Sequence, residues 1–370
     1  MIKDINIQNF RCFQDTKISG FGKVNLITGK NNAGKTAFLE ALLLSNSPRP
    51  EQINFLRRTR RESSSFSKTL PERTWDTFFY NQDKSKKIAI QITYDQNDSI
   101  HSSTIFISID DKSNKSIESY LDDSNSDSYQ YSDLFSNTKT EVSPLKLELS
   151  INGEQCFEAS LIATVEGFLG ESPKIPDLKK VTFIPATILL SNEALALEYD
   201  KAIFNNKEKT KEVLHGFQVI DPLINLVETF SVGKPMLYLT RENAERLPIS
   251  LFGDAINRVA NIILSIINSN SSLLLIDEIE NGIHYTNQVG LCRMLFRLAK
   301  ELDVQIFATT HSLEMLRAFT EVGLESEEFK SMGVHFEMAK NIRNSQIIGI
   351  KRDLETLDYS LDHNKGVRGE

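Results

Sequence analysis

Residues 29–36 read Gly29-Lys30-Asn31-Asn32-Ala33-Gly34-Lys35-Thr36 and fit the pattern G-x-x-x-x-G-K-[ST]. Glycines let the backbone bend until successive N–H groups point at phosphate oxygens, and the positive end of a following helix adds to the pull. In that frame Lys35 neutralises the β/γ charge of ATP, and the Thr36 hydroxyl ligates Mg²⁺. The residues expected to touch nucleotide are Gly29, Lys30, Asn31, Asn32, Ala33, Gly34, Lys35, Thr36 and Ala37. A plain glycine turn with an exposed lysine would need no special neighbours. Here a strand pattern over 23–28 precedes the loop and a helix pattern opens at Lys35 or Thr36, which is the setting the phosphate-binding motif requires.

A second chemical element lies far downstream, where the apolar run Leu273-Leu274-Leu275-Ile276 ends in Asp277-Glu278. A buried strand should not end in adjacent carboxylates without a use for them. Beside a triphosphate, Asp277 is expected in the Mg²⁺ shell with Thr36, and Glu278 is expected to polarise the attacking water as general base. A third element follows: the strand pattern 304–308 runs into Thr309-Thr310-His311-Ser312. This places the His311 imidazole at the C-terminal end of a strand, where α/β sheets bind ligands. Lys35, Glu278 and His311 are thus the catalytic candidates.

The elements that must position these residues alternate in kind. Residues 5–13 and 23–28 read as strands, and apolar spacing at Ile256, Val259, Ala260, Ile263, Leu264 and Ile267 predicts one buried helix face. Residues 236–239 form a further strand pattern and 285–302 a helix pattern. Between the two halves, 86–167 switches to period two and predicts an antiparallel β subdomain. Its Ser-, Asp- and Asn-rich stretch 110–142 reads as a solvated loop. Residues 180–190 suggest another strand, and 192–230 a helical insertion. The expected fold is α/β, with a mixed central sheet, an antiparallel β subdomain and a helical insertion. All of it forms one discontinuous domain over 1–370, with the later motifs in 231–370.

Composition narrows the partners. The 370 residues carry 42 Lys+Arg against 50 Asp+Glu, a net charge of −8, so nucleic acid could be met only through a local basic patch. The densest is Arg57-Arg58-Thr59-Arg60-Arg61, whose plainer reading is a solvated run. Trp75, Phe78, Phe79 and Tyr80 could stack bases, although a buried aromatic cluster is the simpler account. Cys12, Cys156 and Cys292 are few and scattered, as in a reduced, cytoplasmic protein. No stretch approaches the roughly 20 apolar residues of a membrane span, and the N-terminus lacks a signal-peptide pattern. Glu280 and His284 follow the acid pair closely enough to tune the site or meet a partner, but His284 has no companion metal ligands.

The order of phosphate loop, late Ser-Gly loop, strand with Asp-Glu and strand-end His resembles the ABC-type ATPases in their soluble branch. Asn9-Phe10-Arg11-Cys12-Phe13, the wording of residues 29–36, Asp277-Glu278-Ile279-Glu280-Asn281-Gly282-Ile283-His284 and Thr310-His311-Ser312 resemble in particular the OLD (overcoming-lysogenisation-defect) ATPases of bacterial defence. The resemblance implies an ABC-type P-loop ATPase fold, Arg11 near the nucleotide, Glu278 as base and His311 near the γ-phosphate. It also implies a homodimer or higher oligomer with nucleotide between its subunits, each phosphate loop facing the partner's signature loop. That loop appears here as Ser250-Leu251-Phe252-Gly253-Asp254, with Ser250, Gly253 and Asp254 as candidate nucleotide contacts. OLD nucleases carry a Toprim domain after the ATPase, and residues 1–370 leave no room for one. A separately encoded effector, a Toprim or other nuclease, is therefore the expected partner. Two rival expectations are a nucleotide-dependent scaffold with negligible turnover and a DNA-repair ATPase acting on ends or gaps.

Overall fold

The computed structural model describes residues 1–62, 69–96, 99–109, 144–163, 168–170, 178–187, 190–204, 207–268 and 272–363. The chain forms two compact units: one of residues 1–3, 18–39 and 179–370, the other of residues 4–17 and 40–178.

The first unit is built on a six-stranded sheet. Its strands run in the order Ile347–Arg352, Gly333–Lys340, Val24–Gly29, Gln305–Thr309, Leu273–Ile276, Val181–Ile184. Five are parallel, and Ile347–Arg352 closes one edge antiparallel. Val24–Gly29, Leu273–Ile276 and Gln305–Thr309 are buried at every position. Strands covered on both faces lack polar alternation, and the polar residues these contain, Asn25, Thr28, Gln305 and Thr309, are buried too. Because neighbouring parallel strands end together, Gly29, Asp277 and Thr310 all come to one edge of the sheet.

Helix Asp254–Asn268 packs its predicted face, Ile256, Val259, Ala260, Ile263, Leu264 and Ile267, into the main core. Helices Gln288–Glu301 and Leu313–Gly323 join the same core. Leu313–Gly323 is capped by Ser312, whose Oγ accepts the Met315 N–H at 3.1 Å.

One predicted segment folds differently. The helical pattern over 192–230 yields helices Asn192–Ile203 and Lys207–Ile220, but Ile224–Val232 is a strand paired antiparallel with Lys234–Arg241. The cause is a bulge between Ile224 and Leu226. It leaves the buried side chains, Ile224 and Val227, three residues apart, so the strand imitates helical spacing. Among the described residues no helix is long and apolar enough to cross a membrane.

The second unit carries a seven-stranded sheet in the order Phe13–Ser19, Ile2–Phe10, Ile88–Gln96, Ser99–Ile109, Leu145–Ile151, Glu154–Ala163, Phe168–Gly170. The predicted alternation holds in Ile88–Gln96, where Ile88, Ile90, Ile92 and Tyr94 are buried. The unit is nevertheless larger than 86–167. The single strand predicted over 5–13 is broken at Arg11, whose φ is +53°, and both halves join this sheet. The stretch 110–142, read as a solvated loop, lies outside the described residues.

A fully buried carboxylate, Glu40, anchors this unit. Arg11 Nε donates to it at 3.0 Å, and Arg60 donates through Nε at 2.6 Å and Nη2 at 3.1 Å. Removing one member of a buried ion group leaves the others charged and unpaired. Glu40→Ala is expected to destabilise the protein by about 3–5 kcal/mol in denaturant unfolding, whereas an exposed pair would cost under about 1 kcal/mol.

Candidate functional site

The phosphate loop owes its shape to three left-handed residues. Gly29 has φ +147°, Asn32 +62° and Gly34 +90°. At Gly29 a Cβ would lie 2.4 Å from the Met338 carbonyl oxygen, so only glycine fits between the loop and strand Gly333–Lys340. Helix Lys35–Asn46 follows, and its first hydrogen bond in this region is Phe38 N–H to Gly34 O at 2.8 Å. The amides of Gly34, Lys35, Thr36 and Ala37 precede that bond, and free N–H groups at a helix start are what an anion needs.

Lys35 is buried and bends back onto the loop, donating from Nζ to Gly29 O at 2.7 Å and Lys30 O at 3.0 Å. Burial holds its ammonium down to a pKa of about 8, partly opposed by Asp277, Glu278 and Glu280. The Thr36 hydroxyl donates to the Asp277 carboxylate, at 3.2 Å from Oδ1 and 3.0 Å from Oδ2. A cavity of about 270 Å³ opens beside the loop, lined by Thr28, Gly29, Lys30, Asn31, Thr310, His311 and Ser312. The loop and the strand-end histidine, 280 residues apart in sequence, thus share one wall (311 − 31 = 280).

Two residues that the motif reading passed over hold the acid pair in place. Thr309, fully buried, donates its hydroxyl to Asp277 Oδ1 at 2.7 Å and accepts the Glu278 N–H at 2.8 Å. Arg258 lies 2% exposed within helix Asp254–Asn268 and donates from Nη2 to Asp277 O at 2.6 Å. Its signal in the sequence was a charge set inside an apolar helix face. Glu280 accepts the His311 N–H at 2.7 Å, which ties the turn after the acids to the histidine loop.

Thr36 and Asp277 offer a hydroxyl and a carboxylate side by side. That hard oxygen pair suits Mg²⁺, which takes its remaining ligands from phosphates and water. Among the described residues no group of three or more His, Cys, Asp and Glu side chains could hold a metal by itself. His284, exposed, shares a 2.9 Å hydrogen bond with Thr286.

Other candidates fall elsewhere. Ser250, Gly253 and Asp254 are exposed at the start of helix Asp254–Asn268 and do not line the cavity. Arg11, expected near the nucleotide, belongs to the second unit. Its charge is taken up by Glu40, Thr77 Oγ1 at 3.0 Å and the Phe78 ring at 4.2 Å. These contacts hold its Nε and Nη1 within the second unit, while its Nη2 is buried without a hydrogen-bond partner. Arg57 is buried against Phe168 and paired with Glu62 at 2.8 Å, and Arg60 is held by Glu40. Only Arg58 and Arg61 of the basic run keep both exposure and no role in these ion pairs. Trp75, Phe78 and Phe79 are buried, which removes them as a base-stacking platform.

A family model described as "AAA domain, putative AbiEii toxin, Type IV TA system" matches residues 24–317. An "ATP/GTP phosphatase" of Helicobacter pylori is 28% identical over 357 residues, covering 88% of this chain and 90% of that protein. A stretch of 45 residues, 12% of the chain and 5% of the relative, is 44% identical to a DNA double-strand break repair Rad50 ATPase of Archaeoglobus fulgidus. Among solved structures, an SMC head bound to the C-terminal winged-helix domain of ScpA covers 97% of this chain and 99% of its own. It aligns with a TM-score of 0.57 at 10% identity, a likeness of fold alone.

Proposed function

The chain belongs to that AAA-domain family and is an ABC-type ATPase, and on this premise we propose that it works as a Mg²⁺-dependent, nucleotide-gated dimer. The observation that carries the reading is the chain of contacts Thr36–Asp277–Thr309–Glu278, which sets a metal-binding oxygen pair directly beside a glutamate. Bound Mg²⁺ supplies charge neutralisation at the triphosphate. The protein's own residues do the rest. Amides of 34–37 and Lys35 grip the phosphates, and Glu278 takes the proton of the attacking water. His311 stands on the wall of the cavity beside the loop, where the γ-phosphate would lie.

The loop 250–254 does not line the cavity of its own chain and is exposed, with Leu251 at 67%; Tyr285, in the segment after Gly282, is exposed at 61%. A second copy facing it would cover these apolar groups and place Ser250 and Gly253 against the first copy's nucleotide. Such a dimer suits control of a separate effector, in the manner of the OLD ATPases, with a nuclease in defence as the specific form. The family model's description, a putative toxin of a type IV toxin–antitoxin system, agrees with a place in a system of more than one component. Sedimentation with Mg²⁺·ATP under non-hydrolysing conditions is expected to double the mass relative to the nucleotide-free protein. A monomer at every ATP concentration would remove the dimer from this reading.

A further inference from the structure

We infer that Arg258 is a positioning residue through which the loop 250–254 controls Glu278. The inference rests on Glu278 being the base. Gly253, with φ +86°, turns the chain into helix Asp254–Asn268, and Arg258 sits one turn along it. The guanidinium spans the end of the catalytic strand. It donates to Asp277 O at 2.6 Å, reaches Glu278 O at 3.4 Å, and donates to Pro185 O at 2.9 Å at the end of the neighbouring strand. Its Nε is buried without a hydrogen-bond partner. A charge in an apolar helix face is costly unless it is compensated. Burial lowers the Arg258 pKa, and the opposing charges are Asp277, Glu278 and Glu280, all at the chemical site.

What the arginine grips is a strained backbone. Glu278 has φ +48°, a left-handed conformation that a glutamate holds only when its surroundings enforce it, at a cost of order 1–3 kcal/mol. Three contacts enforce it. Thr309 Oγ1 accepts the Glu278 N–H, while the Glu278 carbonyl accepts Asn281 N–H at 3.0 Å and faces Arg258. Of the other two, Thr309 is held by strand pairing with Ile27, and Asn281 lies in the turn that follows the strand. Arg258 alone rides on the helix that begins at the exposed loop. A second point of touch supports the link: a Cβ at Gly282, four residues after Glu278, would lie 3.7 Å from Asp254 Cβ. When a phosphate or a second copy engages residues 250–254, the helix start shifts. Arg258 then carries that shift to the one backbone torsion that aims the base. The loop thereby commands hydrolysis without touching its own chain's nucleotide.

The test compares Arg258→Lys, Gly253→Ala and the double variant in phosphate release and ATP affinity, with melting curves as a check of folding. Lysine keeps the charge but offers one nitrogen where Arg258 uses two, Nη1 for Pro185 O and Nη2 for Asp277 O. A Cβ at Gly253 meets nothing of its own chain within 4 Å, so within the chain Gly253→Ala acts through the positive-φ backbone of the loop. Each single variant is expected to lose at least about tenfold in kcat, and Arg258→Lys to keep ATP affinity within about threefold, the mark of a group acting on the chemical step. The double variant is expected to be no slower than the slower single, as residues in one coupled path are not additive. A folded Arg258→Lys protein within about twofold of wild-type kcat, or multiplying losses in the double variant, overturns the inference. If Arg258→Lys does not fold, hydrogen exchange decides. ATP is expected to slow exchange of the 277–281 amides in wild type and not in Gly253→Ala, and equal slowing in both overturns it. Loss of turnover in Glu278→Gln beside a normal Arg258→Lys defeats only the coupling. An active Glu278→Gln defeats the reading of the base.

Discussion

Glu278→Gln is expected to slow phosphate release by at least about a hundredfold while leaving ATP affinity near its wild-type value. Glutamine keeps the size and planarity of the side chain but cannot accept a proton. The groups that bind nucleotide are untouched, because Lys35 is anchored on Gly29 O and Lys30 O, and Thr36 on Asp277. The strained φ of +48° is tolerated equally by either side chain, so the substitution separates proton transfer from backbone geometry. The split between a lost rate and a preserved affinity is the diagnostic result, read by single-turnover phosphate release beside nucleotide titration. A variant within about threefold of wild type would leave the protein without its base and favour a scaffold that uses ATP only to assemble.

Lys35 is expected to make ATP affinity fall with rising pH. In the free protein its ammonium has a pKa of about 8 against an ordinary 10.5, chiefly because it is buried. A bound triphosphate stabilises the charged form and raises that pKa, so binding above pH 8 takes up a proton. Affinity is therefore full below pH 8 and declines above it, by about tenfold between pH 7 and pH 9 for a non-hydrolysable ATP analogue. Asp277, Glu278 and Glu280 face the same ammonium and oppose part of the lowering. Lys35→Ala is expected to weaken binding by about two orders of magnitude, since it deletes the charge paired with the phosphates, and to flatten the pH dependence. A wild-type affinity constant across pH 7–9 would show that Lys35 is already fully charged or does not meet the nucleotide.

Sequence was most informative where chemistry is contiguous. The loop 29–36 and the run 273–278 each declare themselves within one short segment, because a phosphate loop needs adjacent amides and a buried strand needs adjacent apolar residues. It was least informative where one residue serves another far away. Arg11 has the charge of a nucleotide ligand, yet which anion an arginine finds depends on packing, and here the anion is Glu40. Thr309 stood in view two residues before His311, but a hydroxyl has no preferred partner until strands Leu273–Ile276 and Gln305–Thr309 are laid side by side. The strand Ile224–Val232 was hidden by its own bulge, and the basic run 57–61 lost half of its guanidiniums to Glu40 and Glu62.

A single oxygen, Thr309 Oγ1, holds both the carboxylate of Asp277 and the amide of Glu278. A change at that hydroxyl detunes gripping and cutting together, and selection would see the loss of both at once. A lineage that turned this enzyme into a permanent clamp, closed on ATP but unable to reopen, would have its most direct route at the Glu278 side chain. That position lies within one carbonyl contact of Arg258, the residue that carries word from the outside.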